Sequence, residues 1–365
     1  MSQKKAFIES VLSGEETFRQ VCNVFQISRQ AGYKLLKRFK QEGYSGLQTR
    51  ARKPHTIPHK TSSKIEDKII KLRIKQPTWG ARKIEAYYER QGIQMPCRSV
   101  ITDILKRRGY IDREESLKRK KLIRFEKETH NELWQMDFKG CFAMLNLERC
   151  YPLTILDDHS RFLLCIYACK GEKRLPVQKR LKHVFEEYGL PEQINVDNGN
   201  PWGNARLFKH TQLTVWLMRL GIKVSHSRPR HPQTNGKLER FHRTLKNDVI
   251  KRNEIKNLPH AQHLFTQWRE IYNNVRPHEA LQMLTPHERY QPSIRKMPAI
   301  LPSIEYADGA VVRKVRGNGG FSIDGKEFFP GEAFQGLPVE VRKNEETKTI
   351  EVFFCRTRIL LGHLL

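Results

Sequence analysis

Three acidic residues stand where an acid is hard to explain as surface decoration. Asp137 lies within Trp134-Gln135-Met136-Asp137-Phe138-Lys139, on the face alternate to Trp134, Met136 and Phe138. A carboxylate among large apolar side chains in a strand is costly unless something pairs with it. Asp197 ends the strand-like run Ile194-Asn195-Val196 and opens the turn Asn198-Gly199. Glu239 sits near the start of a helical stretch running from Asn235 to Lys246. It borders the apolar stripe Leu238, Phe241, Leu245, Val249. A carboxylate on a central strand, one at a neighbouring strand end and one on a packed helix can converge on one point. Hard oxygen donors without thiolate or paired imidazole suit magnesium or manganese. Two such ions about 4 Å apart can activate an attacking oxygen and stabilise the leaving oxygen of a phosphodiester. Each acid also has a plainer role open to it. Asp197 could cap its turn, and Glu239 could pair with Arg243 at i+4.

The elements that must hold these acids follow from periodicity. Residues 133–139 alternate, and Tyr151 to Leu156 and Arg161 to Ala168 are strand-like runs joined at Asp157-Asp158-His159-Ser160. Asp157 and Asp158 therefore read as turn residues rather than catalysts. A helix from about Val177 to Tyr188 ends at Gly189 with Pro191 behind it, and strands follow at Gln193 to Val196 and Ile222 to Ser225. Antiparallel strands followed by strands alternating with helices indicate a mixed α/β sheet. His159, His231 and His242 have no cysteine at ligand spacing, so no zinc site is expected.

Residues 1–50 read as three helices. Phe18, Val21, Cys22 and Phe25 form one stripe, and Ser28 is a good N-cap for a basic helix from Arg29 to Gln41. Two tightly joined helices, the second basic, form a helix-turn-helix that fits a major groove, with Arg29, Gln30, Lys34 and Lys37 on the presented side. Pro54 and Pro58 mark residues 51–60 as a linker. A second helical unit, 61–112, has a core expected from Trp79, Ile84, Tyr87, Tyr88, Val100, Ile104 and Leu105. That leaves Arg98, Ser99, Thr102 and Lys106 for DNA. Residues 113–130, with Lys118-Arg119-Lys120-Lys121, form a charged linker that either contacts phosphates or is simply solvated.

The composition fits a polyanionic partner. Lys and Arg number 67 against 39 Asp and Glu, a net charge of +28 over 365 residues. Self-repulsion of that size calls for nucleic acid. The charge is concentrated in residues 1–135, with 31 basic and 15 acidic side chains. The longest apolar run, Phe162 to Cys169, is far short of a membrane span, and no signal region follows the N-terminus. Neither membrane insertion nor secretion is expected. Seven scattered cysteines signal neither a zinc knuckle nor a disulfide framework, and they suit a reducing cytoplasm. Past the proline-rich 291–305, short strands with Gly317-Asn318-Gly319-Gly320 and Asp324-Gly325 turns suggest a small β-barrel over 306–365.

Residues 131–290 resemble the catalytic core of the retroviral-integrase superfamily, as found in bacterial insertion-sequence transposases with an Asp-Asp-Glu triad. The stretches that carry the resemblance are Leu133-Trp134-Gln135-Met136-Asp137, Leu156-Asp157-Asp158-His159-Ser160-Arg161 and Tyr188-Gly189-Leu190-Pro191 through Asp197-Asn198-Gly199. They continue with Ser227-Arg228-Pro229-Arg230-His231-Pro232, Asn235-Gly236 to Glu239, Tyr272-Asn273-Asn274 and Arg276-Pro277-His278-Glu279-Ala280-Leu281. The resemblance implies an RNase H-like fold in which Asp137, Asp197 and Glu239 bind two Mg2+ ions, with Mn2+ as substitute. It also implies that Arg243 and Lys246 lie against element-end DNA. About 41 residues separate Asp197 from Glu239, more than is usual in the family, and the surplus falls in Asn200 to Thr211.

The expected protein is a transposase that binds terminal inverted repeats as a homo-oligomer on double-stranded DNA, frees a 3′-hydroxyl and joins it to target DNA. It would be cytoplasmic and nucleoid-associated when bound. Arg228, His231 and Lys237 would lie in or beside a loop that moves over the site. A non-catalytic end-binding regulator or inactive relic, and a nuclease that cuts without joining, remain open at this point.

Overall fold

The computed structural model describes residues 2–49, 61–111, 126–203, 210–227, 236–344 and 346–363. The linker 51–60, the cationic run Lys118 to Lys121, and Arg228 and His231 lie outside the described residues. The chain divides into two compact units, Met1–Lys60 and Thr61–Leu365.

In the first unit, helices α1 (Ser2–Ser13), α2 (Phe18–Val24) and α3 (Arg29–Glu42) close on Phe7, Ile8, Val21, Cys22 and Leu47. Ser28 caps α3 as expected, its hydroxyl accepting from the Ala31 N–H at 3.2 Å. Gly32 is required by close approach. A Cβ there would meet Cys22 Sγ at 2.9 Å and the rings of Phe18 and Phe7 at 3.0 Å, so side chains of α1 and α2 pack directly on the α3 backbone.

The second unit begins with α4 (Ser63–Lys75), α5 (Ala81–Glu89) and α6 (Arg98–Arg107), packed on Ile69, Leu72, Trp79, Ile84, Ile101 and Ile104. The mixed sheet follows, from β1 (Leu133–Phe138), β2 (Phe142–Ala143), β3 (Arg149–Asp157) and β4 (Leu163–Cys169), helix α7 (Arg174–Tyr188), β5 (Gln193–Val196), helix α8 (Gln212–Arg219) and β6 (Lys223–His226). β3 pairs antiparallel with both β1 and β4, while β1–β5 and β5–β6 are parallel; short β2 extends the edge of β3. One face of the sheet is covered by α7 and α8, with Phe185 and Trp216 over Trp134, Met136 and Phe138. The other is covered by α9 (Gly236–Asp248) and α10 (Leu258–Glu270), with Phe241, Leu245, Phe265 and Trp268 over Leu156, Leu163 and Ile166. Because strand side chains alternate, Gln135 and Asp137 face the α9 side.

Beyond α11 (Pro286–Arg289), β7 (Val312–Lys314), β10 (Pro338–Asn344), β11 (Thr349–Phe354) and β12 (Thr357–His363) form one sheet in the order β12-β11-β10-β7. β8 (Phe321–Ile323) and β9 (Lys326–Phe328) form a separate hairpin. Asp324 and Gly325 both take positive φ there, +52° and +76°, the tight turn the dipeptide announces. The expected barrel is not formed: no sheet closes among the described residues. The β8–β9 hairpin pairs only with itself, and β7 and β12 remain edge strands of an open sheet. Its apolar face, with Ile350 and Phe354, and Phe334 of the turn before β10 join the core that also holds α8.

Candidate active site

The pairing register brings the first two acids together. Leu133, Trp134 and Gln135 of β1 pair in parallel with Gln193, Ile194 and Asn195 of β5. Extended past its last pair, that register leads Asp137 toward Asp197, the residue just beyond the end of β5, and Asp137 feels the charge of Asp197. Burial, then the charge of Asp197, pushes the Asp137 carboxyl up to about 7, with Glu172 and Glu239 adding to the effect. Like charges in a partly desolvated site hold protons unless a cation arrives. Glu172, in the loop after β4, is likewise raised by burial and by Asp197. Sequence patterning gives no sign of this fourth acid, because only the sheet's geometry brings it near.

The supports of each acid come from different elements. One Asp197 oxygen, Oδ1, accepts from the Gly199 N–H at 2.9 Å and from the Trp202 indole N–H. Asp197 thus caps its turn and also faces Asp137. Trp202 is buried and stacks on Phe138, with centroids 5.4 Å apart, so the start of the extra loop Asn200 to Thr211 is part of the site's wall. Glu239 lies exposed in the first turn of α9 and makes no ion pair with Arg243 among the described residues. Helix α9 is tied to β1 through β3. The Thr154 hydroxyl donates to the Asp137 carbonyl at 2.9 Å, and His242 Nε2 lies 2.8 Å from the same hydroxyl oxygen. Since threonine's single proton is used, His242 donates, and the imidazole carries its proton on Nε2. Burial and the nearby Lys139 charge push His242 down to about 3, which keeps it neutral. Lys139 is itself lowered by burial and then by the charge of Lys246, so these two cations lie near each other.

Asp157 and Asp158 are structural. Asp157 accepts from Ser160 N (2.8 Å), Ser160 Oγ (2.6 Å) and Asn131 N (2.8 Å). Asp158, fully buried, accepts from Gln135 Nε2 at 2.7 Å and pairs with Lys237 Nζ at 2.5 Å. Lys237, a DNA-binding candidate by its place in the sequence, is thus turned inward with its side chain 16% exposed. Burial, then the Arg161 charge, lowers it to about 8 against the pull of Asp158. Arg243 and Lys246 are exposed on α9. On α3, Arg29, Gln30, Lys34 and Lys37 are exposed. On α6, Ser99 and Lys106 are exposed, Thr102 is half-buried, and exposed Arg98 pairs with Glu85.

The donor set fits a hard divalent cation. All three donors are carboxylates, and burial together with the charge of Asp197 holds Asp137 from ionising. Among the described residues no three His, Cys, Asp or Glu side chains yet close around one point.

Family profiles agree with this layout. Two described as "Integrase core domain" match residues 127–232 and 220–286. A "Helix-turn-helix domain" profile matches 3–55, and a "Homeodomain-like domain" profile matches 31–105. The chain is 24% identical over 235 residues to the insertion element IS407 uncharacterized 31.7 kDa protein of Burkholderia multivorans, covering 63% of this chain and 82% of that protein. It is 28% identical over 156 residues to the insertion element IS476 uncharacterized 39.2 kDa protein of Xanthomonas euvesicatoria, covering 43% of each. The chain thus spans less than half the length of this second relative. Among solved structures, the HTLV-2 integrase catalytic core domain in complex with magnesium aligns at TM-score 0.37 and 18% identity, over 45% of this chain and 99% of that one. The chain thus carries an integrase-type core behind helix-turn-helix domains and is similar to the proteins of bacterial insertion elements, the make-up of a transposase, a polynucleotidyl transferase of the Asp-Asp-Glu type.

Proposed function

We propose that the protein binds the terminal inverted repeats of its element and catalyses metal-dependent strand cleavage followed by strand transfer into target DNA, with Asp137, Asp197 and Glu239 as its catalytic residues. The observation that carries this reading is the Asp137 carboxyl, which burial and then the charge of Asp197 push up to about 7 near the ends of β1 and β5. Held by these three carboxylates, two Mg2+ ions (or Mn2+) would supply Lewis acidity toward the scissile phosphodiester and offset the repulsion between acids and phosphate.

The chain's own residues do the rest. The N–H groups of Gly199 and Trp202 fix one Asp197 oxygen and leave the other free to bind. The His242–Thr154 bridge holds α9 against the strand that carries Asp137. Lys139, Lys246 and Arg243 offer cations to the DNA backbone. Cutting leaves a 3′-hydroxyl, which then attacks a target phosphodiester while the bound end stays in place, so one site serves both transfers without a covalent protein intermediate. The basic helices α3 and α6 would hold element ends, and the chain would act as a homo-oligomer on double-stranded DNA, one subunit's site for each end.

Glu239→Gln tests the reading, since it keeps size and removes one anionic oxygen donor. Strand cutting and joining of end DNA should fall at least about a thousandfold, with end affinity changed little. Near-normal cutting by this variant would remove Glu239 from the mechanism, and activity in EDTA would remove the metal. A pre-cut end supplied to the wild type separates joining from mere nuclease action.

A further inference from the structure

The Arg276-Pro277-His278-Glu279 turn takes no part in the catalytic arrangement, yet its Arg276 is one of the few buried charged side chains of the second unit. Asp248, in the last turn of α9, accepts on one oxygen from Arg276 Nη1 at 3.0 Å and from the Trp268 indole at 3.3 Å. Arg276 and Asp248 are both nearly sealed from solvent, their side chains 7% and 3% exposed. The same Arg276 nitrogen lies 3.2 Å from the Thr78 hydroxyl, in the turn between α4 and α5. Three further arginines join these two regions. Arg252, just past α9, donates to the Lys75 carbonyl (3.2 Å) and the Ile74 carbonyl (3.5 Å) at the C-terminal end of α4, where a cation is favoured. Arg82 pairs with Glu279 at 3.5 Å. Arg90 pairs with Glu288 at 2.9 Å and donates to the Met283 carbonyl at 2.8 Å. That carbonyl is presented by a turn in which Gln282 and Met283 both take left-handed backbone, φ +54° and +67°, a costly conformation outside glycine. Lys83 lies between the two parts, lowered to about 7 by burial and then by Arg276. None of these interactions uses α6 among the described residues, and its Arg98, Ser99 and Lys106 stay exposed.

We propose that the 276–284 turn is a seat for the second helical module, and that Arg276, Arg82 and Arg90 are positioning residues that set DNA held on α6 in register with the catalytic helix. The linkage is short. Arg276 grips Thr78 on one side and Asp248 on the other, and Asp248 is nine residues, about 14 Å of helix, from Glu239. An element end read by α6 is thereby held at a fixed offset from the carboxylates, which defines where the strand is cut. This inference rests on the proposed end-binding by α6.

The test uses the full-length protein with Arg82→Glu and Arg90→Glu together. Both side chains are partly exposed, so folding is spared. In hydrogen exchange, amides of 276–284 should exchange at least about tenfold faster than in the wild type, while the sheet core is unchanged. End affinity should stay within about threefold. Cutting at the correct terminal nucleotide should drop at least about tenfold in kcat, with cuts scattered to neighbouring positions. Arg82→Glu combined with Glu279→Arg should recover part of the accuracy, and Thr78→Val, which removes only the hydroxyl, should show a weaker form of the same defect. Unchanged exchange with accurate, full-rate cutting would overturn the seat. Uniform loss of all nicking, scattered cuts included, would overturn the positional role. A wild type that does not prefer end DNA would defeat the end-binding reading alone, because the exchange measurement would still decide the seat.

Discussion

Two side chains on α9 convert the position of Glu239 into measurable stability. His242 is held neutral, its pKa near 3 against an ordinary value of 6.5. The unfolded chain takes up a proton below about pH 6.5 and the folded chain does not. His242 therefore contributes stability that is complete above pH 6.5 and is lost as pH falls toward 3, on the order of 2 to 4 kcal/mol in full. His242→Gln keeps an N–H for Thr154 and removes the titration, so urea midpoints measured from pH 7 to pH 4 should fall less steeply than in the wild type. An identical acid limb in both proteins would show that His242 does not carry it. Lys237 gives the second test. Removing it leaves the buried Asp158 carboxylate, among the described residues, with the Gln135 amide and the Lys127 backbone N–H as donors. Lys237→Met should cost about 3 kcal/mol, and the double variant with Asp158→Asn should cost clearly less than the sum of the two single changes. If Lys237 instead served DNA, the substitution would lower DNA affinity and leave the unfolding midpoint unmoved.

What the sequence makes legible follows the physics of each element. The alternation of Trp134, Met136 and Phe138 announces β1, and with it the opposite face on which Asp137 must sit. Ser28 and Gly189 mark helix ends because caps are local chemistry, and Gly189 indeed takes φ +79° where α7 stops. Helix α8 has a cap as well, Thr211, whose hydroxyl accepts from the Thr214 N–H, but it has no amphipathic stripe. Leu213 to Met218 are all buried, and a helix apolar on every side has no stripe to read. Helix α10 is masked differently: its buried positions, Ala261, Phe265 and Trp268, are few and lie among polar residues behind Pro259. The barrel failed for a further reason. Strand number is readable from short alternating runs, but closure depends on which edges meet, and here the apolar face joins the core that also holds α8. Position on a strand, at a turn and on a helix singles out Asp137, Asp197 and Glu239, and the family resemblance is what groups them as the proposed set. Trp202, Glu172 and the His242–Thr154 bridge were not readable, since each acts across elements far apart in sequence.

The whole chain carries +28, and among the described residues no helix is long and apolar enough to cross a membrane. A cationic protein of this kind binds any DNA through phosphates, and only base recognition can distinguish an element end from other sequence. The two contributions separate by salt. Full-length Asp137→Asn protein in EDTA, chosen to block the proposed cutting, should bind end DNA with log K falling against log salt at a slope near −6 if about six to eight phosphates are neutralised. Scrambled DNA should show a similar slope at lower affinity. Arg29 and Lys34 are exposed on α3, the helix whose Ser28 cap fixes its entry. Replacing both with Ala should weaken end binding by about 1 to 3 kcal/mol for each base that is no longer read, and should narrow the gap between end and scrambled DNA. If these side chains touch only phosphates, the change would weaken both DNAs equally and flatten both slopes by about one unit per phosphate. Equal affinity of the unaltered protein for end and scrambled DNA at every salt concentration would mean that the first unit serves assembly, and that recognition of the ends has to be sought elsewhere in the chain.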